Sequence, residues 1–254
     1  MPVACITGAS SGIGKEFANQ YAEKGFDLIL IARNREAMEQ VAREVSVQTE
    51  VIVCDLSNEV ETLELAEQLK QRTIDVFVNN AGFGSVGDFD QMDLYNDLDM
   101  INVNIKAMHI LMKKLLPQFI KRDKGYILNV ASSAGLMPGG PYMATYYATK
   151  AYVVSMTGAV YDELKRRKSK VHISALCPGP VDTKLNDVAG VKFSLPGISA
   201  KKCVAYAIKM LARGKLMIVP TVTMKAAVLG ARLIPRSVAL HMTAGQQKKK
   251  IAQL

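Results

Sequence analysis

The chain has 254 residues, 49% of them apolar and 22% charged, and a formal net charge of +9. A chain of that length and composition suits one large α/β core, and no run of about 18 uninterrupted apolar residues supplies a spanning helix. Cys5, Cys54, Cys177 and Cys203 lack metal-ligand spacing and read as buried reduced thiols, so no metal is expected; without a basic n-region before Val3, the expected location is cytoplasmic.

Residues 3–6 form a short apolar β-type run that feeds Thr7-Gly8-Ala9-Ser10-Ser11-Gly12-Ile13-Gly14. A strand entering a glycine-rich turn that opens a helix makes a phosphate cradle. Backbone N–H groups point outward there, at a helix end of partial positive charge. Gly8 permits the tight turn, Gly12 lets the backbone approach a ligand, and Gly14 permits close helix packing. The spacing departs from a literal G-x-G-x-x-G, and a plain strand-to-helix turn competes with this reading.

Further β-rich runs stand at 27–32, 50–54, 74–78, 125–131, 171–177 and 215–219. Helical patterns occupy 12–24, 35–45, 59–70, 92–120, 145–168 and 201–213, with Pro117 near the end of the fourth. Nearly continuous apolar runs such as Leu28-Ile29-Leu30-Ile31 suit strands covered on both faces. The expected architecture is a doubly wound, Rossmann-type parallel sheet of about seven strands. It forms a single α/β domain over 1–254, with ligand at the carboxyl ends of the strands near the switch in strand order.

The pattern at 145–168 carries Tyr146 and Lys150. Residues four apart share a helix face, about 5–6 Å apart at Cβ, so a cation stands beside a weak acid. A phenol serving as acid and base near neutrality needs a pKa about 3 units below its usual ~10, or about 4 kcal/mol. A neighbouring ammonium supplies about 1–3 of those units. The same spacing also arises on solvated helices by chance. Tyr147 is not four before Lys150 and reads as packing.

The motifs Thr7 to Gly14, Asp55-Leu56, Asn79-Asn80-Ala81-Gly82, Asn104, Asn129-Val130-Ala131-Ser132, Tyr146-x-x-x-Lys150 and Pro178-Gly179-Pro180-Val181-Asp182-Thr183 occur in order. This chain therefore resembles the short-chain dehydrogenase/reductase family, in its compact single-domain group of about 250 residues. The resemblance is dense from position 3 to about 185 and beyond that keeps only a general pattern. It implies that Ser10, Ser11, Gly12 and Ile13 contact phosphate and ribose, and that Asp55 and Leu56 flank adenine. Asn80, Ala81 and Gly82 are implied on the ribose side, whereas Asn79 reads as structural. Pro178 and Gly179 are implied against the nicotinamide, with Val181 offering backbone groups to the carboxamide and Thr183 its hydroxyl.

The resemblance also assigns chemistry. Tyr146 is the implied general acid toward a carbonyl oxygen, Lys150 lowers its pKa and bonds the nicotinamide ribose, and Ser132 polarises the carbonyl. Asn104 is the implied holder of a water in the relay to Lys150, with Asn102 second. Ser132 lies 14 residues before Tyr146 and Ser133 lies 13 before it. The family separation is about 13, so the extra residue is attributed to Gly139-Gly140 lengthening the loop. Gly135 and the preceding Asn129-Val130-Ala131 favour Ser132.

At the end of the second strand, where an NAD site places a carboxylate, the sequence reads Ala32-Arg33-Asn34. A 2′-phosphate would be held by the Arg33 fork through a charge-assisted bond of about 1.5–3 kcal/mol, so NADP(H) is the expected cofactor. A solvated loop charge is the alternative.

Residues 201–254 contain eleven Lys or Arg and no Asp or Glu, leaving 21 cations against 23 acids, a net −2, in residues 1–200. This basic C-terminal extension (220–254) includes a helix-like Val222 to Ile234 and Lys248-Lys249-Lys250. It suits an anionic membrane surface, with the protein peripheral there, or an acidic acyl carrier; the alternative is a substrate-lid or oligomer-interface helix with a solvated basic tail. No nucleic-acid motif accompanies it. The apolar segment 185–200 is the expected substrate loop, pointing to a small hydrophobic ketone or aldehyde, such as a 3-oxoacyl or steroid-like compound. The expected function is NADPH-dependent reduction of that carbonyl to an alcohol; the alternative is a non-catalytic NADP(H) sensor or scaffold. A homodimer or homotetramer through the helices at 92–120 and 145–168 follows from the resemblance.

Overall fold

A computed structural model describes residues 1–182 and 197–251, with side chains through Lys248. Strands and helices alternate: β1 (Val3–Thr7), α1 (Gly12–Ala22), β2 (Asp27–Ala32), α2 (Arg35–Glu44), β3 (Thr49–Val53), α3 (Glu59–Lys70), β4 (Val76–Asn79) and α4 (Leu94–Ile101). There follow α5 (Met108–Arg122), β5 (Tyr126–Val130), α6 (Ala144–Arg166), β6 (His172–Leu176), β7 (Val181–Asp182) and β8 (Ile198–Ser199). The chain closes with α7 (Ala200–Ala212), β9 (Met217–Ile218), α8 (Val222–Leu233) and α9 (Arg236–Ile251).

Seven strands make one parallel sheet in the order β3-β2-β1-β4-β5-β6-β9, the doubly wound arrangement expected from the sequence. Successive side chains along the strands alternate between the two faces of the sheet, and both faces are buried. Ile6, Leu30, Val78 and Leu128 pack against Phe17 of α1 and Val204 of α7 on one face. Cys5, Ile31, Phe77 and Ile127 meet Leu69 of α3 and Leu115 and Phe119 of α5 on the other. Both sets are at most 4% exposed, which is why the strands read as unbroken apolar runs. Each such side chain contributes about 1.5–3 kcal/mol by leaving water.

Polar residues stop and start the helices where the sheet needs turns. The side chain of Asn34 accepts from the N–H of Ala37 at 2.9 Å to cap α2, and that of Asn58 accepts from Val60 at 3.0 Å to cap α3. In the register β1 pairs Ala4 with Leu28 on one side and with Val76 on the other. Strand order reverses across β1 and β4, so their carboxyl ends, Thr7 and Asn79, open a crevice between helices on opposite faces.

Three elements differ from expectation. The pattern at 92–120 is not one helix: a π-turn over Asn102–Ala107 separates α4 from α5, and Pro117 lies inside α5. The poorer hydrogen-bond geometry of a π-turn is offset by three hydrogen bonds of the fully buried Asn104. The two-residue strands β7 and β8 pair only with each other, and strands that short carry no periodicity to read. Beyond Ile234, where one of the two readings placed a solvated basic tail, α9 folds back onto the domain through Ala239, Thr243 and Gln247. Two of these three inward positions are polar, so the four-residue period is masked.

Candidate active site

Thr7 ends β1 fully buried, and its Oγ1 accepts from the N–H groups of Asn80 and Ala81, both at 2.9 Å. That staples the glycine turn to the end of β4, a role the sequence did not disclose because a lone Thr at a strand end has no signature. Asn80 Nδ2 donates to the carbonyls of Thr7 at 2.9 Å and Gly8 at 3.3 Å. Its side chain thus supports the turn rather than facing a ribose, although Asn80, Ala81 and Gly82 all border the crevice. Asn79 is structural as expected, its Nδ2 donating to the Met108 carbonyl at 3.1 Å.

Gly8 and Gly12 have φ of +64° and +54°, the left-handed region that glycine occupies without strain. A Cβ on Gly14 would fall 2.0 Å from the Gly8 carbonyl oxygen, so turn and helix meet closer than any other residue permits. Ser11 makes no side-chain cap and the first turn of α1 holds no acid. The positive end of α1 is therefore uncompensated and fits a phosphate anion.

The crevice, about 1010 Å³, runs from this cradle in two directions. Toward the sheet edge it reaches Arg33, Asp55 and Leu56. Arg33 is exposed and makes no ion pair among the described residues, while neighbouring Arg35 is paired with Glu39 at 3.7 Å. Asp55 is preset by its own turn, its Oδ1 accepting from the Ser57 N–H at 2.9 Å and Oγ at 2.8 Å.

Toward the centre it reaches Ser132, Tyr146 and Lys150. The Tyr146 phenol lies close enough to the Ser132 hydroxyl to be influenced by it, and Ser132 Oγ accepts from the Ala134 N–H at 3.1 Å at the start of a 3₁₀ turn over Ser133–Leu136. The fold thus brings Ser132, rather than Ser133, to Tyr146; the Ser133 N–H donates to the Pro178 carbonyl at 2.8 Å. Lys150 is buried, its Nζ donating to the Val130 carbonyl at 3.1 Å and lying 5.8 Å from the Tyr146 ring centroid.

Asn104 Oδ1 accepts from the Phe83 N–H at 3.0 Å, and its Nδ2 donates to the Phe83 carbonyl at 2.8 Å and Thr149 Oγ1 at 3.0 Å. The side chain is committed to protein partners. It nonetheless stands beside the ammonium: a Cβ on Gly82 would meet Asn104 Oδ1 at 2.7 Å and Lys150 Nζ at 3.1 Å.

Burial governs the titration of the pair. It brings Lys150 down to about 8, with the nearby Cys177 pulling weakly upward. It also lifts the Tyr146 phenol above its usual range, against the Ser132 hydroxyl, which lowers it. The net direction for the phenol is thus upward, set by burial, while the Lys150 ammonium donates to the Val130 carbonyl.

Pro178, Gly179 and Val181 follow β6 and close the far wall. Thr183, and residues 185–196 of the expected substrate loop at 185–200, lie outside the described residues, while the end of that segment forms β8 and the first residue of α7. A second wall comes from the C-terminal segment, where the sequence offered a substrate-lid helix over Val222 to Ile234 but did not single out any wall residue beyond it. Met224 of α8 and Thr243, Gln246 and Gln247 of α9 line the crevice. Gln247 Nε2 donates to the Tyr147 hydroxyl at 2.7 Å, and Arg236 donates to the Pro138 carbonyl at 2.9 Å, holding α9 over the loop before α6. Among the described residues no cluster of His, Cys, Asp or Glu could hold a metal, and all four cysteines are buried and free.

A phosphate cradle at the switch point with a Ser–Tyr pair and a buried Lys beside it defines a nucleotide-binding oxidoreductase site. The model of the short chain dehydrogenase family matches residues 2–191, and the chain belongs to that family. It is 34% identical over 202 residues to a very-long-chain 3-oxoacyl-CoA reductase of Anas platyrhynchos, spanning 76% of this chain and 64% of that one. It is 33% identical over 189 residues to the inactive hydroxysteroid dehydrogenase-like protein 1 of Homo sapiens, spanning 72% of this chain and 56% of that one. A short-chain dehydrogenase from Sphingobium yanoikuyae solved in complex with NADPH superposes with a TM-score of 0.81 at 29% identity, covering 92% of this chain and 94% of that one. The chain thus spans about three fifths of the length of these two curated relatives.

Proposed function

We propose that this protein is an NADPH-dependent reductase of a hydrophobic carbonyl, with a 3-oxoacyl thioester or a steroid-like ketone as the substrate class. The observation that carries this is the Ser132–Tyr146 hydroxyl pair at the crevice wall beside a buried Lys150. The similarity to a 3-oxoacyl-CoA reductase supports the substrate class, and the NADPH-bound neighbour supports the cofactor.

The cradle from Gly8 to Gly14 would hold the pyrophosphate, Arg33 a 2′-phosphate, Asp55 and Leu56 the adenine, and Ala81, Gly82, Pro178, Gly179 and Val181 the nicotinamide half. When bound, the cofactor supplies the hydride. Ser132 donates to the substrate carbonyl oxygen and fixes it beside Tyr146, and the Tyr146 phenol gives that oxygen its proton. Lys150, charged below about pH 8, stabilises the phenolate left behind. The committed side chain of Asn104 leaves its peptide carbonyl as the group to hold a relay water toward Lys150.

Loss of NADPH absorbance with hydrophobic ketones and 3-oxoacyl thioesters is the direct test, and turnover should be faster with NADPH than with NADH. Replacing Arg33 with Asp should raise the KM for NADPH at least about tenfold, since one charge-assisted bond becomes a repulsion. An unchanged KM removes Arg33 from the site. The inactive name of the human relative supports a second reading, NADP(H) binding without turnover. Inertness across the whole panel, with NADPH binding intact, would select it.

We also propose a homodimer through α4 and α6, because Leu94 and Tyr95 of α4 are 65% and 76% exposed. Light scattering should give twice the chain mass; a monomer refutes it.

A further inference from the structure

We infer that α8 and α9 form an interfacial platform that docks the protein on an anionic lipid surface. Both helices rest on the domain by narrow stripes. Among the described residues of the two helices, only Met224 and Val228 of α8 and Ala239, Thr243 and Gln247 of α9 are buried. Opposite that stripe α8 presents Val222, Ala226, Leu229 and Leu233, spaced four, three and four residues apart, so they share one face. Val222, Leu229 and Leu233 are 78%, 60% and 79% exposed, and Val238 and Met242 of α9 add 46% and 60%.

Lys225 and Arg232 line one side of the outward face of α8. Lys225 is anchored by donating to the Tyr206 hydroxyl at 3.0 Å. An apolar ridge bordered by cations on long apolar stems is what lets a helix lie in the headgroup region.

Charge selects the occupant. Residues 222–251, which form the platform, hold six cations (Lys225, Arg232, Arg236, Lys248, Lys249 and Lys250) and no acid, so the platform has no internal counter-charge. A second copy docking on the same face would set Lys225 and Arg232 against their own images, whereas an anionic headgroup layer meets both the charge and the apolar ridge. Among the described residues no helix is long and apolar enough to cross a membrane, so the contact is one of lying on the surface. The inner sides of the same helices, through Met224, Thr243 and Gln247, wall the active-site crevice.

The test is co-sedimentation of the full chain with phosphatidylcholine vesicles made with and without phosphatidylglycerol. Binding should be about tenfold or more tighter with phosphatidylglycerol, and should fall when salt screens the charges. Leu229→Ser with Leu233→Ser should weaken it about tenfold, and Arg232→Gln with Lys248→Gln should remove the phosphatidylglycerol preference. Unchanged NADPH affinity and circular dichroism show that the variants fold. Vesicle binding is read without turnover, so it succeeds or fails independently of the reductase assignment. No binding to either vesicle overturns the inference, as does binding indifferent to both variants. Self-association that the leucine variant abolishes, without any vesicle binding, overturns it in favour of a second copy.

Discussion

Tyr146→Phe should lower kcat at least about a thousandfold while NADPH binds with unchanged affinity, because a positioned general acid contributes about 10²–10⁴ in rate. Only one oxygen is removed. The Tyr146 ring stays in its cleft-wall position, and Ser132 keeps its bond from the Ala134 N–H at 3.1 Å. Loss of rate therefore reports the missing proton rather than a collapsed site. Calorimetric titration with NADPH and single-turnover reduction of a responsive ketone separate the two, and retained turnover would show that another group delivers the proton.

The same cluster fixes the pH dependence. Lys150 is held down near 8 by burial, so it is an ammonium below that pH and neutral above it. Burial raises Tyr146, which keeps its proton through that window. The expected kcat/KM profile for reduction is then flat on the acid side and descends above about pH 8, where the charge that stabilises the phenolate is lost. A profile level to pH 10 would remove Lys150 from that role.

Much of this was legible because each element announces itself locally. The continuous apolar runs, such as Leu28 to Ile31, require cover on two faces, and the sheet provides it with helices on both. Gly8, Gly12 and Gly14 each answer a specific steric demand that the fold imposes. What stayed hidden depends on contacts between distant segments. Thr7 ties β1 to the β4 turn across 73 residues, and Gln247 reaches Tyr147 across 100. Neither pairing leaves a period or a motif. Desolvation is likewise a property of the assembled crevice, so the i,i+4 spacing of Tyr146 and Lys150 pointed to proximity but could not reveal the burial that raises the phenol. The basic C-terminal segment was read from its charge, while its inward stripe of Ala239, Thr243 and Gln247 is too polar to mark a packed helix face.

The Ser132–Tyr146 contact itself depends on a residue outside the pair, Gly135, whose N–H donates to the Ser132 carbonyl at 3.0 Å. Gly135, in the 3₁₀ turn that begins after Ser132, lies against the backbone of α6 one turn past Tyr146. A Cβ there would fall 2.3 Å from the Lys150 carbonyl oxygen and 3.0 Å from the Ala151 nitrogen. Both are main-chain atoms of a 23-residue helix, so no side-chain rotation relieves the clash. Gly135→Ala should push the turn carrying Ser132 away from α6. Overpacking of this kind costs about 1–3 kcal/mol of stability, and a displacement near 1 Å at the reacting groups costs about a hundredfold in rate. The expected signature is a lower Tm together with a kcat loss far larger than any change in NADPH affinity, since the cradle at Gly8 to Gly14 is on the other side of the crevice. Thermal melting and kcat measured on the same preparation check it. Wild-type kcat in Gly135→Ala would mean that the spacing between Ser132 and Tyr146 is set elsewhere.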